Sequence, residues 1–472
     1  MNTQKKVLSV ILALILALST FAVVPSAAAG STSGKDPAHA VPISLKDTKG
    51  TVTAVKGVCD TITDEDYYKI TAPANGKLMV NFIHYQNDYC DEKYRVKIYK
   101  DTADLKDTPI VNEDIPVKSP KNVTLPYIGA VKGCTYYIYI EPLGRSKIIG
   151  KEYTLQVSFV SNAYLEQEVN DSQASATPIK INQTFSGVIN RKRDKDYYKV
   201  VAPADGTLTV NFIHEVLENS DSGWAVATEE PINNYYYYQV GYQYIRQRDS
   251  STISVWSGSV KKGKTYYIGV YILQDVGVVG ADYKIRCNLS LPVLKKTSFT
   301  SGAGSVKLSW SKAPQASGYQ IRIKQNGKWK DYAKTTAVSY TAKSLKPAVA
   351  YDFAVRSYYT AGGVTSYSGW AFIHTATKPL TPNLRYLKTN TSHVINAVWK
   401  ARAGSGYYIQ ISTTKNFSKN VVTKKVTGKP SYFFKKLKKG TRYYVRVRAF
   451  KTYGNNKRVY SALSAVKSIV CK

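Results

Sequence analysis

The sequence predicts an all-β chain built from β-sandwiches in tandem. Short alternating runs such as Lys77–Ile83, Thr135–Ile140 and Tyr153–Val157 are separated by Gly, Pro, Asn and Asp. After residue 29 no long stretch shows the 3.6-residue period of an amphipathic helix. The 39 tyrosines also favour strands, because aromatic side chains pack well on a pleated surface. A chain of 472 residues has room for about three to four domains.

The first half of the chain contains a repeat with a constant offset of 130 residues. Asp64–Lys69 (DEDYYK) matches Asp194–Lys199 (DKDYYK), and Tyr153 keeps the same offset from Tyr283. A constant offset over that length predicts two whole domains of one fold, because a shared short motif would not preserve it.

The second copy carries four motifs in a fixed order. They are Glu168–Asp171 (EVND), Gly187, Asp194–Tyr198 (DKDYY) and Gly206–Val210 (GTLTV). This order resembles the bacterial pre-peptidase C-terminal (PPC) domain, and the first copy keeps all but the EVND opening. The resemblance implies a jelly-roll-like sandwich in a secreted bacterial multidomain protein. Such domains usually accompany secreted peptidases or other exported proteins, and some bind collagen or polysaccharide.

The second half of the chain contains a different pair of repeats. They comprise Val306–Trp310 and Val394–Trp399, Gly318–Ile323 and Gly406–Ile411, and Tyr351–Arg356 and Tyr443–Arg448. A leucine precedes the tyrosine by six residues in both, at 345 and 437. The pattern resembles fibronectin type III domains with a tyrosine corner, which implies two Ig-like sandwiches. The second copy lacks the proline that usually follows that leucine.

These patterns predict a leader followed by four domains. Residues 1–29 have the basic start, apolar run and small-residue end of a cleaved secretory signal, with an uncleaved membrane anchor as the alternative. The predicted domains are residues 35–161 and 162–291 (PPC-like) and residues 292–377 and 379–472 (fibronectin type III). No later run is long and apolar enough to span a bilayer. We therefore expect a secreted, extracellular chain, with association to the cell wall as a further expectation.

Charge is divided very unevenly between the two halves. Residues 1–291 carry 32 basic and 30 acidic side chains, whereas residues 292–472 carry 34 basic and only 2 acidic ones, Asp331 and Asp352. The net charge is therefore +2 before residue 292 and +32 after it. A field of this size predicts an anionic partner, such as a cell-wall or matrix polymer. No base-reading motif occurs, so specific nucleic-acid recognition is not expected.

Six oxygen-bearing side chains of the second copy form a candidate metal site. They are Glu166, Glu168, Asn170, Asp171, Asp194 and Asp196. Residues two apart in an extended segment face the same way, and Ca²⁺ prefers six to eight oxygen ligands. In collagen-binding PPC domains a linker of the type E-x-E-x-N-D binds Ca²⁺ together with Asp near the D-x-D position, and the resemblance implies the same here. The sequence thus predicts Ca²⁺ in the second copy only. The alternative is a solvated acidic linker with a turn-capping Asp pair.

Catalytic residues are not expected. The five histidines include no HExxH, and the chain has no G-x-S-x-G and no C-x-x-C. His84 and His214 occupy equivalent repeat positions, which a shared fold explains better than catalysis. Of the five cysteines, Cys59, Cys90 and Cys134 fall in one predicted domain, where one bridge or free thiols are both open.

The segment Asn233–Tyr244 is unusually rich in tyrosine. Flat rings beside Asn and Gln suit stacking on sugars or on an extended peptide. The favoured interpretation is that alternate tyrosines of one strand belong to the core and the rest to its edge.

The sequence therefore predicts a secreted, non-catalytic binding protein. The basic domains would attach to anionic cell-wall or extracellular polymer, and the PPC-like domains to polysaccharide or a collagen-like protein. The alternative is an accessory or remnant chain of a secreted peptidase or glycosidase system.

Overall fold

The structure is a computed structural model that describes residues 34–101, 105, 107–144, 147–231, 237–272, 277–390 and 393–472. The predicted leader, residues 1–29, lies outside these ranges. Every regular element within them is a β-strand, in several separate sheets, which confirms the all-β fold of tandem sandwiches. The described residues form no helix that could cross a membrane. The chain divides into two compact units, residues 1–203 with 207–289, and residues 204–206 with 290–472.

Unit 1 begins with a sandwich of ten strands. They are β1 (Val41–Pro42), β2 (Thr53–Val58), β3 (Asp66–Thr71), β4 (Gly76–Ile83), β5 (Lys93–Lys100), β6 (Val111–Pro116), β7 (Asn122–Thr124), β8 (Ile128–Ala130), β9 (Thr135–Leu143) and β10 (Glu152–Ser161). One sheet has the order β1-β3-β9-β5-β6 and the other β2-β10-β4-β7, with β8 also on β4. Strand β4 alternates buried and half-buried residues, so its inward face joins the core.

The second sandwich of unit 1 repeats this plan. Its strands are β11 (Thr177–Pro178), β12 (Thr184–Val188), β13 (Lys195–Val201), β14 (Gly206–His214), β15 (Gly223–Pro231), β16 (Tyr237–Arg246), β17 (Thr252–Val260), β18 (Thr265–Tyr271) and β19 (Asp282–Leu291). One sheet has the order β11-β13-β18-β15-β16, and the other contains β17-β14-β19 with β12 on β19. The parallel pairing of β11 with β13 reproduces that of β1 with β3.

A small apolar cluster joins the two sandwiches of unit 1. Tyr127, Leu165 and Val188 are buried together, with Met79 packed against them. The ammonium of Lys77 lies 3.7 Å from the centre of the Tyr127 ring. Because Leu165 belongs to the segment between the sandwiches, this cluster fixes the start of the acidic linker.

Unit 2 contains two further sandwiches. The first has β20 (Ser298–Ser301), β21 (Val306–Ser309), β22 (Gly318–Gln325), β23 (Lys328–Thr335), β24 (Ser339–Ala342), β25 (Ala350–Ala361), β26 (Val364–Ser368) and β27 (Ala371–Ala376). The second has β28 (Leu384–Asn390), β29 (Val394–Trp399), β30 (Gly406–Ser412), β31 (Val422–Val426), β32 (Ser431–Phe434), β33 (Arg442–Tyr453), β34 (Lys457–Tyr460) and β35 (Lys467–Val470). Each pairs a three-stranded sheet, β20-β21-β24 or β28-β29-β32, with a larger one.

The predicted tyrosine corners of unit 2 are present. The backbone N–H of Lys346 donates to the phenol oxygen of Tyr351 at 2.9 Å. The N–H of Lys438 donates to Tyr443 in the same way at 3.1 Å, although this copy lacks the proline. Each sandwich also buries one tryptophan in its core, Trp310 or Trp399.

All five cysteines are free thiols, so the structure contains no bridge among Cys59, Cys90 and Cys134. Cys59 and Cys90 are both buried in the core of the first sandwich, and Cys134 is half-buried beside it. Burial raises the pKa of Cys287, in the second sandwich, to about 12, which makes that thiol unreactive.

Candidate metal centre

The linker between the two sandwiches of unit 1 forms backbone hydrogen bonds with both of them. The N–H of Glu166 donates to the carbonyl of Ser186 at 2.9 Å, and the N–H of Ser186 donates to the carbonyl of Tyr164 at 2.9 Å. The N–H of Glu168 donates to the carbonyl of Gly129, in the first sandwich, at 2.9 Å. The linker therefore connects strand β12 of one sandwich to strand β8 of the other.

Three of the six predicted ligands converge. One carboxylate oxygen from each of Glu166, Glu168 and Asp196 lies within 4.8 Å of the others, and all three side chains are at most 1% exposed. Ca²⁺–oxygen distances are about 2.3–2.6 Å, so ligands of one ion lie no more than roughly 5 Å apart. The spacing fits a single cation.

The hydrogen bonds of these carboxylates are incomplete. Glu166 accepts from the N–H of Val188 at 2.9 Å and from the phenol of Tyr198 at 3.1 Å. Asp196 accepts from Tyr283 at 2.5 Å through Oδ2, but its Oδ1 has no partner among the described residues. An unpartnered buried carboxylate oxygen is costly, and a cation or a proton would satisfy it.

Glu168 and Asn170 show the same deficit. Glu168 Oε1 accepts from the amide of Asn190 at 2.6 Å, whereas its Oε2 has no partner among the described residues. Asn170 is fully buried, and neither side-chain atom has a described partner. The backbone carbonyl of Asn170 is used, because it accepts from the N–H of Tyr197 at 2.8 Å.

The other two predicted ligands bind an internal cation that sequence reasoning missed. The guanidinium of Arg191 contacts Asp171 at 2.8 Å and Asp194 at 2.9 Å. Asp194 also accepts from the N–H of Asn190 at 2.7 Å. The signal was the basic run at residues 191–193 directly before Asp194, since a turn brings residues three apart together.

Burial makes these carboxyl groups hard to ionise. It raises the pKa values of Glu166 and Asp196 well above their ordinary range, and neighbouring carboxylates raise them further. Burial raises the pKa of Glu168 to about 8, with Asp194 and Asp171 adding to the effect. Burial also raises the pKa of Asp194 to about 7, although the charge of Arg191 opposes this. A divalent cation would replace the protons that this site otherwise needs.

The first sandwich keeps part of this arrangement. Asp66 accepts from Tyr153 at 2.5 Å, and the phenols of Tyr68 and Tyr153 are 2.9 Å apart. The second sandwich has the same contacts between Asp196, Tyr283 and Tyr198. The D-x-D-Y-Y motif therefore belongs to the shared scaffold. The glutamates of the linker distinguish the second copy.

The repeated histidines have the same structural role in both copies. Nδ1 of His84 lies 2.7 Å from the carbonyl of Tyr85, and Nδ1 of His214 lies 2.8 Å from that of Glu215. Both rings are buried, at 1% and 5% exposure, beside an aromatic core residue. The two histidines therefore occupy equivalent positions with equivalent contacts.

Tyrosines gather on the outer face of the sheet that contains β13, β18, β15 and β16. One row across the strands is Lys195, Tyr271, Ala225 and Tyr244, and the next is Tyr197, Gly269, Ala227 and Tyr242. Residue 139, which is equivalent to Gly269, is a tyrosine that packs on Tyr67 at 5.2 Å between ring centres. Small central residues thus distinguish this face, termed the tyrosine face, from that of the first sandwich.

The described tyrosine side chains of the tyrosine-rich strand lie outside the core, and the interpretation that alternate tyrosines of this strand belong to the core stays a prediction. Ile245 is buried in the core, whereas Tyr238 and Tyr242 are 64% and 44% exposed and Tyr244 is half-buried. Ile245 pairs with the buried Trp224 and faces the core, so Tyr242 and Tyr244 face outward on the same strand. Residues 233–236 lie outside the described residues.

Comparison with solved structures finds fibronectin type III domains. A two-domain segment of chicken tenascin is 17% identical, covers 38% of this chain and 99% of its own, and gives a TM-score of 0.27. The FN1–FN3 segment of chicken CNTN1 is 16% identical over 58% of this chain and 97% of its own, with a TM-score of 0.23. The FN3tt structure is 22% identical over 19% of this chain and 97% of its own, with a TM-score of 0.17.

At this level of identity the similarity concerns the fold alone. No protein-family model matches the chain, and no curated protein does. The PPC resemblance of the two N-terminal domains therefore stays a prediction.

Proposed function

We propose that this chain is an exported, non-catalytic binding protein. Unit 2 would attach to anionic cell-wall or extracellular polymer. The second sandwich of unit 1 would bind a further ligand, a polysaccharide or a collagen-like protein. The observation that carries the proposal is the uncompensated positive charge of unit 2.

That charge is not neutralised within the unit. Residues 292–472 contain only two acidic side chains, and both are already engaged. Asp331 accepts from Arg322 at 2.5 Å, and Asp352 lies 2.6 Å from Nδ1 of His374. The net charge of +32 far exceeds what solubility requires, which for a small domain is about 2–8. Such a surface draws polyanions to it over long distances.

The tyrosine face supports the second binding role. Tyr242 is exposed on the sheet face that also carries Tyr244 and Tyr271. Rings presented in this way offer apolar area with a polar edge, which suits sugar rings or an extended peptide.

In this proposal calcium would stabilise the structure and would take no part in catalysis. Glu166, Glu168 and Asp196 would hold the ion, with Asn170 as a further oxygen donor. The ion would supply the positive charge that the buried carboxylates lack. Because the same linker bonds to Gly129, occupancy would also strengthen the junction between the first two sandwiches.

Binding of the full chain to purified bacterial wall material tests the main proposal. We expect affinity to fall by roughly tenfold or more between about 0.05 M and 0.5 M NaCl, because salt screens exposed charges. Wall material stripped of its anionic polymer is the matched control and should bind weakly at both concentrations. Affinity that salt leaves unchanged, or equal binding to the stripped wall, would overturn the proposal.

A further inference from the structure

The last sandwich carries an aromatic layer on the outer face of its larger sheet, on strands β30, β33 and β34. The ring centres of Tyr408 and Phe450 are 5.1 Å apart, and Tyr460 lies 5.9 Å from Tyr408 and 6.5 Å from Phe450. Phe450 is nevertheless only 1% exposed, although it belongs to the outer face. Other side chains must cover it.

Cations cover this layer. The guanidinium of Arg448 lies 4.2 Å from the ring centre of Tyr460. Arg458 lies 5.5 Å from the centre of Phe450 and donates to the phenol of Tyr408 at 2.9 Å. The ammonium of Lys425, on strand β31, lies 5.6 Å from the same Phe450. We refer to Lys425, Arg448 and Arg458 on these rings as the stacked cation face.

Stacking positions Arg448 and Lys425 without using their hydrogen-bond donors, whereas Arg458 uses one donor on Tyr408. A guanidinium that lies flat on a ring still presents N–H groups along its edge, in the fork that matches a carboxylate. Among the described residues, Arg448 and Lys425 have ring contacts but no hydrogen-bond acceptor. Residues 379–472 include no Asp or Glu at all, so this domain cannot supply the missing carboxylates itself.

The preceding sandwich shows what a stacked guanidinium does when a carboxylate is within reach. The two sheets are equivalent, since Arg356 donates to Gln320 at 2.8 Å and Arg446 donates to Gln410 at 2.7 Å. On the earlier sheet, Arg322 lies 4.7 Å from the centre of the Trp370 ring. It also donates to the carboxylate of Asp331 at 2.5 Å, in the geometry that the last sandwich leaves open.

From this geometry we propose that the stacked cation face binds a linear polysaccharide carrying carboxylate groups. The inference rests on the proposed function and names the place and the ligand chemistry within unit 2. Single-stranded nucleic acid fits less well, because its bases need free aromatic faces and the cations occupy these rings. A carboxylated polymer needs only the exposed edges of the cations.

The test compares charge-matched variants of the full chain for binding to polygalacturonate. The face variant carries Lys425→Gln and Arg448→Gln, and the control carries Lys438→Gln and Lys439→Gln. The side chains of the control residues are exposed, lie in the same domain and have no described ring contact. Each double variant removes two positive charges. We expect the dissociation constant of the face variant to rise about tenfold or more and that of the control less than about threefold.

A conservative variant, with thermal melting beside it, separates loss of binding from loss of folding. Arg448→Lys keeps the charge but removes the planar fork, and we expect binding to weaken about threefold to tenfold. Thermal melting of each variant shows whether the domain is folded. Unchanged binding by Arg448→Lys would overturn the inference, as would equal losses in the two double variants or tighter binding to polyphosphate or single-stranded DNA. Salt-sensitive binding to wall material would still support the proposed function in those cases, whereas its absence would end both.

Discussion

At the scale of single residues, the candidate metal centre contains five carboxyl groups but only one guanidinium, that of Arg191. They are Glu166, Glu168, Asp171, Asp194 and Asp196. Arg191 binds Asp171 and Asp194 and leaves the other three without a cation among the described residues. Burial favours the protonated forms of these three carboxyl groups, so we expect metal binding to release protons.

Replacing Glu168 tests whether these buried carboxyl groups exchange protons for a metal ion. Its pKa of about 8 lies above the ordinary value, so its contribution to stability is present below about pH 4.5 and is lost as pH rises towards 8. In EDTA at pH 8, Glu168→Gln should therefore raise the melting temperature of unit 1, through a gain on the order of 4 kcal/mol. Added Ca²⁺ should stabilise the wild type but have little effect on the variant.

Glu218→Gln provides the control for that experiment, because Glu218 is an exposed carboxylate of the same sandwich. Calorimetry of the three proteins in EDTA and in millimolar Ca²⁺ gives the comparison. Equal stabilisation of wild type and Glu168→Gln by Ca²⁺ would remove Glu168 from the site.

The first sandwich offers a pH test that involves no metal. Burial raises the pKa of Asp66 to about 6, against the opposing hydrogen bond from Tyr153. The stability that Asp66 contributes is thus present below about pH 4 and is lost as pH rises through 6. Asp66→Asn should remove this dependence, which is worth about 2–3 kcal/mol at most.

Native-state hydrogen exchange of β3 and β10 measures that change locally, at pH values from about 4 to 8. Asp60→Asn is the control, because Asp60 is an exposed neighbour. If wild type and Asp66→Asn gave parallel profiles, Asp66 would not be the titrating group.

At the scale of elements, the alternating runs predicted strands well. Val394–Trp399 is β29 itself, and Lys77–Ile83 lies within β4. The pairing of Arg191 with Asp171 could not be predicted, because it depends on how the turn before β13 meets the linker. The phase of the tyrosine-rich strand could not be predicted for a similar reason. Alternation allows two phases, and the pairing of β16 with β15 decides between them.

The linker element depends on a close approach at Gly129. A Cβ added there would lie 2.2 Å from the carbonyl oxygen of Glu166, which is too close for any rotamer change to relieve. Gly129→Ala should displace the linker, cost about 1–3 kcal/mol and weaken Ca²⁺ binding. Gly304→Ala is the matched control, because its added methyl meets nothing closer than 3.6 Å. Unchanged Ca²⁺ affinity in Gly129→Ala, measured by titration calorimetry, would separate the junction from the metal centre.

At the scale of the whole molecule, acidic and basic functions occupy different units. The candidate metal centre belongs to unit 1, and residues 292–472 hold nearly all the excess positive charge. Scanning calorimetry should resolve this division. We expect millimolar Ca²⁺ to raise the melting temperature of one transition by several degrees and to leave the other within about one degree. A shift of both transitions would show that Ca²⁺ acts beyond the linker.

The absence of acidic side chains from residues 379–472 determines the pH and salt conditions under which this domain stays bound to a polymer. This domain has 21 lysines and arginines and one histidine, His393. Lysine and arginine as residue types stay charged up to about pH 9, and the domain has no Asp or Glu side chain that could change its charge in acid. A carboxylated polymer keeps its own charge over most of that range. Acidification or alkalinisation of the surroundings would leave such an attachment in place, and a rise in salt would release it.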